Sequence, residues 1–275
     1  MKPIALALGA GGARGLAHIP VLEALDELGI EPVVIAGASA GALVGSAYAA
    51  GMSGKDIRRY VLGLAHDRNE VFRRLLASRS GGLVDLVTSG INGPAVVDAE
   101  KFCEQFLPAI VPDDFGKLLI PLTVVASDLY RRCAVALANG PLKRAIGASM
   151  AIPGLVGPVV IGDQVLVDGG ATNPLPFDLW RDHDYLTIAV DVTGEPVAGR
   201  DVPNAWESVN IAIQVMVHTI TAEKLKHGVP DILIRPNVGI FRSLDFLQAS
   251  AILRASEPVK AEVREKVGAL VAALA

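Results

Sequence analysis

Short unbroken apolar runs alternate along the chain with longer stripes of apolar residues spaced three or four apart, a pattern that predicts strands followed by helices. Lys2 to Leu8 is such a run, ending in Gly9-Ala10-Gly11-Gly12, which reads as a buried strand entering a tight loop. From Gly15 to Leu28, Leu16, Ile19, Leu22, Leu25 and Leu28 form a helical stripe, Glu23, Asp26 and Glu27 fall off it, and Gly29 closes the helix. Pro32 to Ala36 predicts a second buried strand and Ala40 to Gly51 a helix of small residues. This β-α-β-α opening predicts an α/β fold, a mostly parallel central sheet flanked by helices.

Further along, Gly54 to Leu76 predicts a helix carrying Arg58, Arg59, Arg68, Arg73 and Arg74. Ser78 to Pro94 is rich in Gly and Ser and weakly periodic, as expected of a loop or cover over one end of the sheet. Strands are predicted at Leu118 to Ala126 and Arg132 to Leu137, then a helix from Leu142 to Ala151 stopped by Pro153. Pro158 to Val167 predicts a hairpin turning at Gly162-Asp163 and delivering Asp168-Gly169-Gly170 at its end. Leu186 to Val192 is the last clear core strand, and Ile232 to Arg235 a short further one. Trp206, Val209, Ile213, Val217 and Ile220 mark a long amphipathic helix, and the tail from Ser243 is helical with a break at Pro258.

The 275 residues are 51% hydrophobic and 20% charged, enough apolar surface for one large domain and too much for a disordered chain. No repeat or composition shift marks a second domain. The expectation is therefore a single domain over 1–275, with the chemical motifs within 9–170 and C-terminal helices over 203–275 packed on it. A net charge of −4, with Lys and Arg interleaved among Asp and Glu, leaves no electrostatic footprint for nucleic acid and no polybasic segment for an anionic membrane. Cys103 and Cys133 lie in no metal-ligand spacing, so no metal or other cofactor is expected; two buried thiols in a reducing cytosol fit them better than a disulfide. The apolar run after Met1-Lys2 is too short for a secretory signal, and the uncharged stretch Pro32 to Met52 reads as strand plus helix rather than a bilayer span. A soluble cytoplasmic protein is expected.

Three glycine-marked segments carry the candidate chemistry. Gly37-Ala38-Ser39-Ala40-Gly41 is a G-x-S-x-G pentad between the β-branched Val33-Val34-Ile35 and the small-residue helix. A turn that sharp strains the central residue, and glycines on either side remove Cβ atoms that would clash. Ser39 would stand exposed at a strand end and at a helix N-terminus, where developing negative charge is favoured. Read plainly, the same string is a Gly/Ser turn with Ser39 as helix cap. The loop Gly9-Ala10-Gly11-Gly12-Ala13-Arg14-Gly15 misses the G-x-G-x-x-G dinucleotide spacing by one residue, and the second strand ends in Ala36-Gly37 with no acidic residue for a ribose. Such a loop serves either as a dinucleotide or phosphate cradle or as an oxyanion hole of backbone N–H groups; both loops leave the same end of adjacent parallel strands and can converge, which favours the oxyanion hole. Arg14 either supports this loop, meets a phosphate or carboxylate of a substrate, or is simply solvated. None of His18, His66, His183, His218 and His227 follows a strand so as to complete a triad, whereas Asp168 follows the apolar run Val165-Leu166-Val167 directly.

In order and spacing, Gly11-Gly12-Ala13-Arg14-Gly15, Gly37 to Gly41 and Asp168-Gly169-Gly170 resemble the G-G-x-[RK]-G, G-x-S-x-G and D-G-[AG] motifs of the patatin-like phospholipase family. Ala148-Ser149-Met150-Ala151-Ile152-Pro153-Gly154, Asn173-Pro174-Leu175-Pro176 and Ile234-Arg235-Pro236-Asn237-Val238 extend the likeness over most of the chain. Ala10 departs from the pattern, where many members carry glycine, and a backbone donor there requires a negative φ. So do Ser127-Asp128 with Arg131-Arg132, where relatives often have threonine and then acidic or polar residues. The resemblance implies a carboxylic ester hydrolase of the phospholipase or lysophospholipase kind, using a Ser39–Asp168 dyad without histidine. It implies Gly11 and Gly12 as oxyanion donors, with Gly9, Gly15, Gly37, Gly41, Gly169 and Gly170 supporting the motifs. Such an enzyme takes a lipid or ester substrate and needs no cofactor; a transient contact with a membrane interface, through an apolar rim or the 78–94 segment, is compatible with it. No motif fixes an oligomeric state. Two rivals stay open on sequence: an α/β-hydrolase esterase or thioesterase with a histidine triad, and a non-catalytic lipid-binding module.

Overall fold

The computed structural model describes residues 2–66, 68–78, 97–195 and 202–274. The expected cover over Ser78 to Pro94 lies, beyond Ser78 itself, outside the described residues. Eight strands form one sheet: β1 (Ile4–Leu8), β2 (Val34–Ala38), β3 (Leu122–Asp128), β4 (Cys133–Leu137), β5 (Val159–Ile161), β6 (Gln164–Asp168), β7 (Leu186–Val190) and β8 (Ile232–Ile234). The path through it is β5-β6-β3-β2-β1-β7-β8, with β4 also paired to β3. From β3 to β8 the ladders are parallel, while β3–β4, β3–β6 and β5–β6 are antiparallel. The sheet is mixed and mostly parallel, flanked by helices, as the alternating pattern predicts.

β1 is buried along its whole length, which is why its sequence is an unbroken apolar run. Its alternate residues divide between the two faces: Leu6 and Leu8 join the main core, and Ala5 and Ala7 face Leu175, Phe177 and Trp180. The main cluster runs from Ile4 to Val267, so the C-terminal helices α8 (Ala249–Ser256) and α9 (Val259–Leu274) share it with the N-terminal strands.

The first helical stripe divides into a 3-10 stretch, Gly12–Ala17, and α1 (His18–Glu27), with Gly29 at φ +67 beyond the end. Glu23, off the apolar stripe, is nevertheless buried, because Arg58 of α3 (Gly54–His66) and Lys260 of α9 both reach its carboxylate. That ion cluster joins three helices. Where one helix is expected over Gly54 to Leu76 there are two, α3 and α4 (Arg68–Ala77); Glu70 in the first turn of α4 pairs with Arg73 and Arg74 and stabilises a separate start. The remaining helices are α2 (Ala40–Ala49), α5 (Ala99–Phe106), α6 (Leu142–Ser149) and α7 (Ala205–His227). The cysteines correct the expectation of two buried thiols: both are free, Cys103 is buried, but Cys133 is exposed at the start of β4, which lies off the main path of the sheet.

Pairing on β3 decides where the chemistry sits. β2 takes Leu122 to Val125 and β6 takes Ala126 to Asp128, while β4 pairs with Val124 through Asp128. Since one edge of a residue pairs with one strand, β4 occupies one edge and β2 and β6 share the other, meeting end to end. The last residue of β2, Ala38, lies opposite Val125, and the last of β6, Asp168, lies opposite Ala126.

Glycine is indispensable at one of these junctions. A Cβ on Gly41 would overlap the Leu8 carbonyl at the end of β1, whereas one on Gly29 would meet nothing. Gly29→Ala should therefore cost only about 1 kcal/mol, the strain of a left-handed backbone with a side chain. Gly41→Ala should cost several times as much in urea denaturation; equal losses would contradict this packing.

Candidate active site

Ser39 occupies the turn between β2 and α2 with φ 53 and ψ −123, a conformation that non-glycine residues avoid. Strain of this kind costs roughly 1–3 kcal/mol and persists only where the surroundings hold it. Here they do. The Ser39 N–H donates to Ser149 Oγ at 2.8 Å, and Ser149 Oγ in turn donates to the Val125 carbonyl at 2.6 Å. The Ser39 carbonyl accepts from the N–H groups of Ala42 and Leu43. A Cβ on Gly37 would stand 2.6 Å from the Ala42 backbone, so the helix folds back directly over the strand end. Ser39 sits at the cap position without making a side-chain capping bond, so the plain reading as a helix cap fails.

Its hydroxyl donates instead to Asp168 Oδ2 at 2.6 Å. The other carboxylate oxygen accepts from the Gly170 N–H at 2.7 Å. The aspartate backbone is tied as well: its N–H donates to the Ala151 carbonyl, and its carbonyl accepts from Ser127 Oγ. Gly169 is required where it stands because a Cβ would overlap the Val125 carbonyl. β3 thus holds both partners, the aspartate through Ser127 and the serine through Val125 and Ser149. Burial pushes the Asp168 carboxyl up to about 6, against the opposing hydrogen bonds from Ser39 and Gly170. Contrary to the exposed position expected for it, Ser39 is only 3% accessible; it faces a cavity rather than open solvent.

The glycine-rich loop comes to the same place. A Cβ on Gly15 would overlap that of Ala40, so loop and elbow are in direct contact. The N–H groups of Gly9, Ala10, Ala13 and Arg14 are engaged, donating to the carbonyls of Val190, Pro174, Ser243 and Gly11. Among the described residues no hydrogen bond takes up the N–H of Gly11 or of Gly12, and both residues line the cavity that holds Ser39 and Asp168. Gly12 has φ +58 and no room for a Cβ beside the Ser243 carbonyl. Ala10 keeps a negative φ, which answers the departure at that position.

Arg14 is buried, not solvated; its Nε donates to the Gly11 carbonyl at 3.5 Å and its side chain reaches the cavity wall. His18 is packing for the loop: fully buried, it bonds Gly9 O through Nε2 at 2.8 Å, and burial lowers its pKa to about 4. His183 stacks on Tyr185, His227 meets Glu223, and His218 faces Thr193. No histidine lines the Ser39 cavity among the described residues. Arg131 and Arg132 lie in the turn between β3 and β4, Arg131 paired with Asp163, and line no part of it.

The cavity, about 560 Å³, is mostly apolar, with Ile152 and Pro153 on one side and α7 across the top. Here the helical stripe differs from its expected use. Ile213, Val217 and Ile220 are half-buried and face the cavity instead of entering the core, and Val209 is exposed. Sequence reasoning also missed Ser149 and Ser127 as the residues that fix Ser39 and Asp168; the signals were Ser149 inside the Ala148 to Gly154 segment and Ser127 at the strand end before Asp128.

The profile of the Patatin-like phospholipase family matches residues 6–179. An uncharacterized NTE family protein of Mycobacterium tuberculosis (strain H37Rv) is 38% identical over 192 residues, 70% of this chain and 49% of that protein. Patatin-like phospholipase domain-containing protein 6 of Mus musculus is 32% identical over 69% of this chain and 13% of its own length. The chain thus spans about half the length of that mycobacterial relative and a small part of the mouse protein. Among solved structures, VipD of Legionella pneumophila matches with a TM-score of 0.54 at 16% identity, covering 96% of this chain and 66% of that one, a likeness of fold.

The buried carboxylate has a consequence for stability. Its folded pKa, about 6, lies above the unfolded value of 3.8, so between these values the native state holds the extra proton and loses stability as pH rises. The ionised form costs the fold on the order of 3 kcal/mol above pH 6. Asp168→Asn, which cannot ionise, should raise the melting temperature over wild type at pH 8, with the gain shrinking as pH falls through 6 toward 4. His18 titrates in the opposite sense but identically in both proteins, so the difference between melting curves isolates Asp168.

Proposed function

Because the chain belongs to the patatin-like phospholipase family, we propose that it is a lipid acyl hydrolase in which Ser39 is the nucleophile and Asp168 its only proton acceptor. The observation that carries this reading is the 2.6 Å hydrogen bond from Ser39 Oγ to Asp168 Oδ2, made by a strained elbow serine at the wall of an apolar cavity.

In the first step Oγ attacks the ester carbonyl carbon while Oδ2 takes the hydroxyl proton. The carbonyl oxygen becomes an oxyanion, which accepts hydrogen bonds from the Gly11 and Gly12 N–H groups beside the N-terminus of α2. A donor of this kind is worth on the order of 3 kcal/mol. Collapse of the tetrahedral intermediate breaks the bond to the alcohol oxygen, which leaves with the proton from Asp168. Water then attacks the acyl-serine, giving its proton to Asp168, and the acid departs as Oγ is protonated again. Arg14 supports the loop through the Gly11 carbonyl, and its charge at the cavity wall suits an anionic part of the substrate. Gly9, Gly15, Gly37, Gly41, Gly169 and Gly170 act by allowing close approach. The mostly apolar cavity, within the roughly 300–1,000 Å³ that encloses a small ligand, suits an acyl chain.

A dyad needs its carboxylate to be a better base than a solvated aspartate, and burial supplies that through a pKa of about 6. The triad alternative has no support in the cavity lining, and His18 is committed to the Gly9 carbonyl.

Ser39→Ala and Asp168→Asn should each lower hydrolysis of dissolved esters and of lipids by roughly 10³-fold or more with the fold intact. A fluorophosphonate probe should label wild type at Ser39 and leave Ser39→Ala unlabelled. Near-wild-type turnover by Asp168→Asn would refute the dyad. Independently, kcat/KM should be flat above neutral pH and fall about tenfold per unit below pH 6, as Asp168 takes up its proton. A profile with its acid limb near pH 4 would mean that burial does not raise Asp168 above an ordinary carboxylate.

A further inference from the structure

α7 covers the cavity, yet its outward surface is not that of a solvated helix. From Ser208 to Ala222, fifteen consecutive residues include no Asp, Glu, Lys or Arg. Only Thr221 in this stretch is buried; Val209, Ile211, Val215 and Met216 are 43–58% accessible, and Ser208, Ala212, Thr219 and Ala222 around them are uncharged. A helix exposed to water normally turns charged residues outward. At about 1.5 Å per residue the uncharged surface is roughly 22 Å long. No helix among the described residues is long and apolar enough to cross a membrane, and α7 lies along the protein rather than projecting from it.

A second segment continues this surface. Gln214 of α7 bonds Ser243, and Glu207 pairs with Arg242, holding residues 240–247 beside the helix. There Ile240, Phe246 and Leu247 are 45–62% accessible. The two segments meet at the cavity mouth, where Val215 and Met216 on one side and Leu244 on the other are at once exposed and part of its lining. An apolar surface continuous with an apolar cavity is the arrangement through which an acyl chain passes without crossing water.

We propose that the outer face of α7, together with residues 240–247, docks on the surface of a lipid bilayer or micelle and brings the cavity mouth against it. The direction of chain entry rests on the acyl hydrolase reading; the docking surface itself does not. Its charges are few and mixed: Glu207 pairs with Arg242, whose backbone N–H also donates to the half-buried Asp245, and Glu223 pairs with Lys226 at the far end of α7. Binding by apolar burial without a basic rim needs no anionic lipid and is insensitive to salt.

The test uses the full chain with vesicles of pure phosphatidylcholine and of phosphatidylcholine with phosphatidylglycerol. Wild type and Ser39→Ala should co-sediment with both to the same extent, unchanged by added salt. The triple variant Val209→Asp, Phe246→Asp, Leu247→Asp should lose at least about tenfold in vesicle partitioning and in vesicle hydrolysis. Its hydrolysis of a dissolved short-chain ester should stay within about twofold of wild type, because these side chains line no part of the Ser39 cavity. Hydrogen exchange of Ser39→Ala, with and without vesicles, should show protection at residues 205–222 and 240–247, a measurement that requires no surface variant. Unaltered partitioning of the triple variant, dependence on anionic lipid, or a wild-type dimer that the triple variant dissociates would overturn the proposal, the last making a second copy the occupant. Dissolved-ester hydrolysis reads the Ser39 site alone. Its absence in wild type that binds vesicles would refute the hydrolase reading and leave the docking surface standing.

Discussion

The whole site depends on one shared edge of β3. β2 pairs with its first half and then turns away into α2, which leaves the backbone of Ala126 to Asp128 open on that side. β6 fills the vacancy from the opposite direction. Two strands that run toward each other along one edge place their ends together, and those ends carry Ser39 and Asp168. Backbone pairing, which every buried strand must complete, does the work of bringing residues 129 positions apart to a separation of 2.6 Å.

The same strand then locks what it has assembled. Val125 gives its carbonyl to Ser149, which holds the Ser39 amide, and Ser127 holds the carbonyl of Asp168. An unfavourable serine backbone and a buried carboxylate are both kept in place by groups anchored on a rigid strand rather than on loops. Rigidity and dryness are linked here. The buried Asp168 lies at the wall of a cavity that α7 covers, and α7 in turn leaves a largely uncharged surface outward.

Glycine marks the places where backbones approach too closely for a side chain. Gly15 lies against Ala40, Gly41 against Leu8 and Gly169 against Val125, so the three motifs are three contacts of one packing arrangement. That explains why the motifs are recognisable in sequence at all. Each of these glycines answers a steric demand that no other residue meets.

The sequence by itself determined the element types, the mostly parallel sheet, the two strand-to-turn junctions and the identity of Ser39, Asp168, Gly11 and Gly12 as the residues to watch. The elements and junctions follow from local rules, apolar periodicity and glycine where the chain must bend; the pairing of Asp168 with Ser39 and the choice of Gly11 and Gly12 rest on the resemblance of the three motifs to the family. Only the tertiary structure decided what those residues touch. Periodicity shows that Ile213, Val217 and Ile220 share a face, but not whether that face meets a core or a cavity; it met a cavity. Glu23 reads as solvated until Arg58 and Lys260, distant in sequence, arrive beside it. Ser149 and Ser127 are ordinary polar residues until β3 is paired on both edges. A strand's neighbours, unlike its pattern, are set by the rest of the chain, and the hydrogen bonds that join Ser39 to Asp168 and Ser149, and Asp168 to Ser127, are made across that boundary.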